Sequence, residues 1–188
     1  VTGITLPITK HNYLVTRADQ IAETIREAFY IARSGRPGPV LIDVCKNAQI
    51  ESCEFVFPED VKLPGYQPVL RSPKNLVDQA VELIERAKKP IILCGHGVLM
   101  SKAEEELMQF AVKTQTPVAS TLLGLGAFPA SNELSLGMMG MHGEAHTNLA
   151  VQNSDLILAF GMRFDDRVTG TLKTYAPRAK KIHIEIDP

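Results

Sequence analysis

The sequence predicts an α/β protein built on a parallel sheet, and three observations predict it. Short apolar runs such as Pro90–Cys94 and Leu156–Phe160 lack the alternation of a half-solvated strand and read as strands buried on both faces. Amphipathic stretches fall between those runs, the spacing of strand–helix–strand units joined by right-handed crossovers. Glycine follows two of the runs directly, at Gly95 and Gly161, where a strand end needs a tight turn.

Taken in order, residues 1–15 read as extended and loop-like, with Pro7 and a polar Thr9-Lys10-His11-Asn12. Thr16 and Asp19 make a capping-box-like start to a helix whose apolar face is Ile21, Ile25, Ala28, Phe29 and Ala32. Ser34 to Gly38 ends that helix, and Pro39–Val44 reads as a short buried strand. Prolines and acidic residues then interrupt every pattern from Lys46 to Arg71, as in a linker, and the domain boundary falls between residues 48 and 72. Ser72 and Pro73 open a helix with the stripe Leu76, Val77, Ala80, Val81, Leu83, Ile84 and Ala87. After the strand Pro90–Cys94, Ser101 with Glu104 is a capping box for a helix that turns Ala103, Leu107, Phe110 and Ala111 inward. Val118–Thr121 is a strand, residues 130–142 look irregular, and 143–151 is a helix. Leu156–Phe160, a short helix near 170–177 and the strand Lys181–Ile186 complete the chain. It begins at Val1 and stops just past a strand, so it reads as an excerpt of something longer.

Composition narrows the function. Of the 188 residues, 45% are hydrophobic and 22% charged, enough apolar side chain for a sizeable core. Twenty Lys and Arg balance 21 Asp and Glu, leaving no basic footprint for nucleic acid and no polybasic membrane patch. Three scattered cysteines form no CxxC, which points to a reducing, cytoplasmic setting rather than zinc or a disulfide framework. No apolar run approaches membrane-spanning length and no signal peptide is seen.

Four strand ends carry loops suited to a ligand: Gly95-His96-Gly97, Ser120-Thr121-Leu122, Gly161 to Arg167, and Glu185-Ile186-Asp187. Ligands of open α/β sheets bind at such carboxyl ends, and helix N-termini there favour phosphate. Met100 stands where a third glycine would complete a dinucleotide fingerprint, and no GxxxxGK is present. Arg163 and Arg167 bracket Asp165 and Asp166, which suits either a phosphate or carboxylate ligand or a solvated salt-bridge loop. Met138 to Gly143 offers thioethers and glycines to a flat ring, or fills a core corner. Glu185 or Asp187 can accept from ribose hydroxyls or cap a helix. His142 and His146 have helical spacing but no third metal ligand, and Ser120 lacks a GxSxG context. His11, His142, His146 and His183 read as packing or hydrogen-bonding residues, and Lys10 and Lys46 as surface lysines. The residues alone describe a domain for a ligand with phosphates and a flat ring, with no catalytic group located.

The runs Ile8–Val15, Ser34–Asp43, Gly124–Pro129, Leu136–Gly143 and Phe160–Gly170 resemble the large catalytic subunits of acetolactate synthase, a thiamine-diphosphate enzyme family. The resemblance implies that residues 1–48 close the N-terminal pyrimidine-binding domain with a helix–strand tail. It makes 49–71 a linker and 72–188 a six-stranded, parallel-sheet, Rossmann-like central domain that holds FAD. Thiamine diphosphate and Mg²⁺ would bind outside this segment, which should neither catalyse alone nor hold FAD tightly. The reaction implied joins two pyruvates, or pyruvate and 2-ketobutyrate, with loss of CO2, in branched-chain amino acid biosynthesis. The full-length enzyme would be a homodimer or homotetramer, with room for a small regulatory subunit.

By position, the resemblance puts Arg36, Gly95, His96, Gly97, Thr121 and Leu122 against the flavin, together with Met139, Gly140, Met141 and His142. Gly161, Met162, Arg163, Asp165, Arg167 and Val168 would run along the ribityl diphosphate, with Glu185 and Ile186 at the adenosine end. Arg167, Met141 and Lys46 would also face the 2-ketoacid substrate. His96 and Cys45 depart from the family's usual residues. The rival readings are the central domain of another thiamine enzyme, an oxidase or decarboxylase, and a stand-alone nucleotide-binding module.

Overall fold

The structure, a computed structural model, describes residues 1–187, and these cluster into two units: Val1–Arg71 with Asp187, and Ser72–Ile186. In the first unit, α1 (Thr2–Thr5) and a 3-10 turn lead into β1 (His11–Val15), where the sequence reading expected a loop. Thr5 Oγ1 donates to Asn12 Oδ1 at 2.7 Å and Thr9 Oγ1 to Thr5 O at 2.8 Å. Such local polar bonds shape a segment without leaving any apolar period behind.

Next comes α2 (Ile21–Arg33), then β2 (Val40–Val44), which pairs in parallel with β1 from His11↔Val40 to Val15↔Val44. Thr16 is not the cap of α2. The chain enters through a 3-10 turn at Ala18–Gln20, whose first N–H is met at 2.9 Å by Glu51 Oε2, a carboxylate 33 residues away. The buried face of α2 is also rotated from the expected one: Thr24, Ala28 and Ile31 are buried, whereas Phe29 is 65% exposed. A sheet of only two strands covers a narrow stripe of a helix, and helical spacing does not say which stripe. The short helix α3 (Lys46–Ile50) follows, and residues 51–73 form no helix or strand.

The second unit opens with α4 (Lys74–Arg86), whose N-cap position is Pro73 rather than Ser72. No residue of α4 is fully buried: Leu76, Val77 and Val81 are about half exposed, and Leu83, Ile84 and Ala87 pack onto the core. The expected stripe thus meets the sheet only through its last turn. Then come β3 (Pro90–Cys94), α5 (His96–Ser101), α6 (Glu104–Thr114), β4 (Val118–Ser120) and β5 (Ser135–Met138). Ser101 ends α5, donating to Gly97 O at 2.8 Å, so it does not box α6. The strand β5 lies inside the stretch read as irregular, because Gly137 and Met138 dilute its β preference and its pairing with β4 shifts register. The chain ends with α7 (Ala145–Asn153), β6 (Leu156–Phe160), α8 (Asp166–Thr169) and β7 (Lys180–Ile184). The last short helix therefore precedes Gly170 instead of spanning 170–177.

Among the described residues the sheet of the second unit has five strands, all parallel, in the order β5-β4-β3-β6-β7, where the resemblance implied six. Both faces are buried, as an all-parallel sheet requires. Ile91, Leu93, Ala119, Ile157 and Ala159 face one core, closed by Val151 of α7 and by Met162 and Tyr175. Ile92, Cys94, Val118, Leu156 and Leu158 face the other, closed by Leu107 and Ala111 of α6. Alternate residues of one strand thus serve opposite cores, which is why the runs show no polar alternation.

Candidate functional site

The chain order of the sheet reverses beside β3: β4 and β5 extend from one side, β6 and β7 from the other. Crevices at the carboxyl ends of strands open at such a switch point. The loops after β3 and β6 meet there at backbone distance. The Gly97 N–H donates to Gly161 O at 2.9 Å, and a Cβ added to Gly97 would stand 2.6 Å from Gly161 Cα. One added to Gly95 would stand 2.3 Å from Gly161 O. These glycines therefore have a packing reason of their own, apart from any ligand.

His96 is exposed beside them, its Nδ1 3.1 Å from Leu123 O. After β4, Thr121 donates its N–H to Cys94 O at 2.9 Å, and its Oγ1 accepts from Gly124 N–H at 3.0 Å, while Leu122 is exposed. Cys94 and Ser120 lie beneath this loop, Sγ and Oγ 3.1 Å apart, and burial pushes the thiol pKa up.

Past Gly161, Met162 is buried and its carbonyl lies 2.7 Å from His183 Nε2. His183 also meets Phe164 edge-on, so it supports the arginine loop from β7. Asp165 caps α8, its Oδ1 accepting from Arg167 N–H at 3.0 Å, while its Oδ2 lies 3.5 Å from Arg163 Nη2. The Arg163 side chain is exposed, and a pair of that length in water contributes little. Among the described residues the Arg167 guanidinium makes no hydrogen bond or ion pair. The salt-bridge reading of the loop thus covers Arg163 weakly and Arg167 not at all.

The loop after β5 completes the arrangement. Met139 donates its N–H to Ser120 O at 3.0 Å and Met141 donates to Arg167 O at 2.8 Å, while His142 is exposed. A cavity of about 280 Å³ lies between this loop and α8. Met139, Gly140, Met141, Asp166, Arg167 and Val168, all named from the sequence, line it together with Asn148, Gln152, Thr169 and Tyr175, which were not. The Tyr175 hydroxyl is buried without a partner among the described residues, and burial pushes its pKa up to about 12. An asparagine in the first turn of a helix just after a glycine loop is the signal that Asn148 offered.

Glu185 and Ile186 follow β7, where Glu185 Oε1 accepts from Ile186 N–H at 2.8 Å. Arg36 and Lys46 belong to the first unit: Arg36 lies in the turn after α2, and Lys46 begins α3, both exposed. Lys10 is no ordinary surface lysine, since its Nζ donates to Ile31 O at 2.6 Å and to Tyr66 Oη at 2.7 Å. His146 lies 3.1 Å from Leu136 O, a structural hydrogen bond. Among the described residues no helix is long and apolar enough to cross a membrane.

Comparison with known proteins adds the family. The chain is 50% identical over its whole length to the acetolactate synthase large subunit of Corynebacterium glutamicum. It is 52% identical to acetolactate synthase 2, chloroplastic, of Nicotiana tabacum, and 48% to acetolactate synthase of Mycobacterium bovis. It spans 28% of the tobacco protein and 30% of each of the other two. Residues 77–188, which contain the parallel sheet and every strand-end loop described above, match the thiamine pyrophosphate enzyme central domain, and the chain belongs to that family.

Proposed function

We propose that this chain is a segment of an acetolactate synthase large subunit whose second unit holds FAD along the carboxyl ends of its strands. The identity of about 50% over all 188 residues to proteins of that name carries the reading. The residues present suit the flavin. Among the described residues Arg167 is an unpaired cation and Arg163 a weakly paired one, fit for a diphosphate. Met141 and Leu122, both largely exposed, offer soft and apolar surface for a ring, whereas Met139 is buried in the core and can support it only from beneath. Glu185 can accept from a ribose hydroxyl. Arg36, toward the flavin, and Lys46, toward the substrate, belong to the same proposal.

In the overall reaction two 2-ketoacids become one acetohydroxyacid and CO2, and the flavin undergoes no net redox change. This chain's part is to bind and orient: Arg167 and Met141 would present one face to the flavin and one to the 2-ketoacid carboxylate. No group in the segment is assigned a proton transfer. Thiamine diphosphate and Mg²⁺ would be held elsewhere in the full-length enzyme, a cytoplasmic homodimer or homotetramer with or without a small regulatory subunit.

The test is full-length protein supplied with thiamine diphosphate, Mg²⁺, FAD and pyruvate. Acetolactate should form, and none forming would overturn the assignment. The 188-residue chain alone should bind FAD weakly or not at all, and tight one-to-one binding would contradict that.

A further inference from the structure

Gly140 takes a positive φ of 96°, and a Cβ there would stand 2.9 Å from Arg167 O, so its peptide runs directly against the arginine segment. Among the described residues its N–H has one partner, the side chain of Asn148: Oδ1 accepts it at 2.9 Å. The same carboxamide donates through Nδ2 to Gly140 O at 2.9 Å. An amide carries one acceptor and one donor group side by side and so mimics a neighbouring strand. The amide orientation follows from the backbone, since only Oδ1 can meet the N–H and only Nδ2 the carbonyl. One residue further, Met141 N–H donates to Arg167 O at 2.8 Å.

The helix carrying Asn148 is anchored without it. Thr147 Oγ1 donates to Leu136 O, His146 Nε2 lies 3.1 Å from the same oxygen, and Glu144 N–H donates to Met138 O at 2.8 Å. Val151 is buried in the core one turn on. α7 is thus fixed to β5, and Asn148 reaches from a rigid element to Gly140, just past Met139, where the ladder with β4 ends.

We propose that Asn148 is a positioning residue: its carboxamide sets the backbone of Gly140–Met141 and, through Met141, the backbone of Arg167. Its consequence for cofactor and substrate rests on the reading above, in which that loop and Arg167 meet the flavin and the 2-ketoacid. Removing the carboxamide leaves the Gly140 N–H unpaired and loosens both loops together, while the sheet and α7 stay in place.

The experiment uses full-length protein and the variants Asn148→Ala and Asn148→Asp, the second keeping the acceptor and losing the donor. Amide hydrogen exchange should rise at Gly140–Met141 and at Arg167–Thr169 in Asn148→Ala, with β5 and α7 protection unchanged. The two lost hydrogen bonds to Gly140 predict an FAD dissociation constant raised about ten- to hundred-fold, with Asn148→Asp between. The KM for pyruvate should rise as well. Unchanged exchange at the two loops, or loss of protection spread over α7 and β5, would overturn the positioning role. Loosened loops with an unchanged flavin constant would overturn its link to the cofactor. Wild-type protein that binds no flavin would instead defeat the functional reading, and the exchange data would still decide the tether.

Discussion

Asp155 shows how much one side chain can organise. Its Oδ2 accepts from Lys88 N–H at 2.8 Å and its Oδ1 from Lys89 N–H at 2.9 Å, just before β3 begins. Its own carbonyl accepts from Lys180 N–H at 2.9 Å, so the starts of β3, β6 and β7 meet at this residue. Burial works to raise its pKa, but the two backbone N–H groups outweigh that and hold the carboxyl below its ordinary value. Asp155→Ala should therefore cost about 2 kcal/mol at pH 7 by urea denaturation. A folded pKa below the unfolded one gives stability that is present above the unfolded pKa and lost as pH falls through the folded one. The gap between wild type and variant should narrow below about pH 4, and a gap independent of pH would mean that the carboxylate is not its source.

At the level of elements, the carboxyl ends of β3 and β6 can lie side by side only because Gly97 and Gly161 have no side chains. The φ of 56° at Gly161 is a second reason for glycine there. Gly97→Ala forces a Cβ onto a backbone atom that cannot swing away, and should destabilise the second unit by about 3 kcal/mol. A melting temperature within a degree or two of wild type would show that the two loops part easily. The same crossing gives Gly95 and Gly97 a packing reason independent of any ligand, while Met100, where a fingerprint would have its third glycine, is 53% exposed and takes no part in it. α4 makes the converse point. Its apolar period is strong, yet half of its stripe is open to solvent, because burial depends on what lies opposite.

Across the whole molecule, two units are joined by a stretch without regular structure, residues 51–73. Glu54 and Glu59 are exposed within it. A glutamate-specific protease should cut there first and leave a durable fragment containing the five-stranded sheet. First cleavage inside α6 or α7 would refute this, since it would place the least stable segment within the second unit.

The sequence by itself determined the parallel α/β class and the strands that carry it. A strand buried on both faces needs an unbroken apolar run, and such runs are visible without a structure. It also marked Gly95, Gly97, Gly161 and the Arg163–Arg167 loop, since glycines and paired arginines at strand ends stand out locally. The tertiary structure decided what depends on partners far away in the chain. β1 and β5 exist through pairing rather than propensity, Glu51 replaces Thr16 at the entry to α2, and the buried stripe of α2 is set by the two strands beneath it. The cavity beside Arg167 is likewise a tertiary fact. Asn148 reaches Gly140 from only eight residues away, but Tyr175 joins through burial among residues of β3, β4 and β6, over sequence distances across which no local pattern is written.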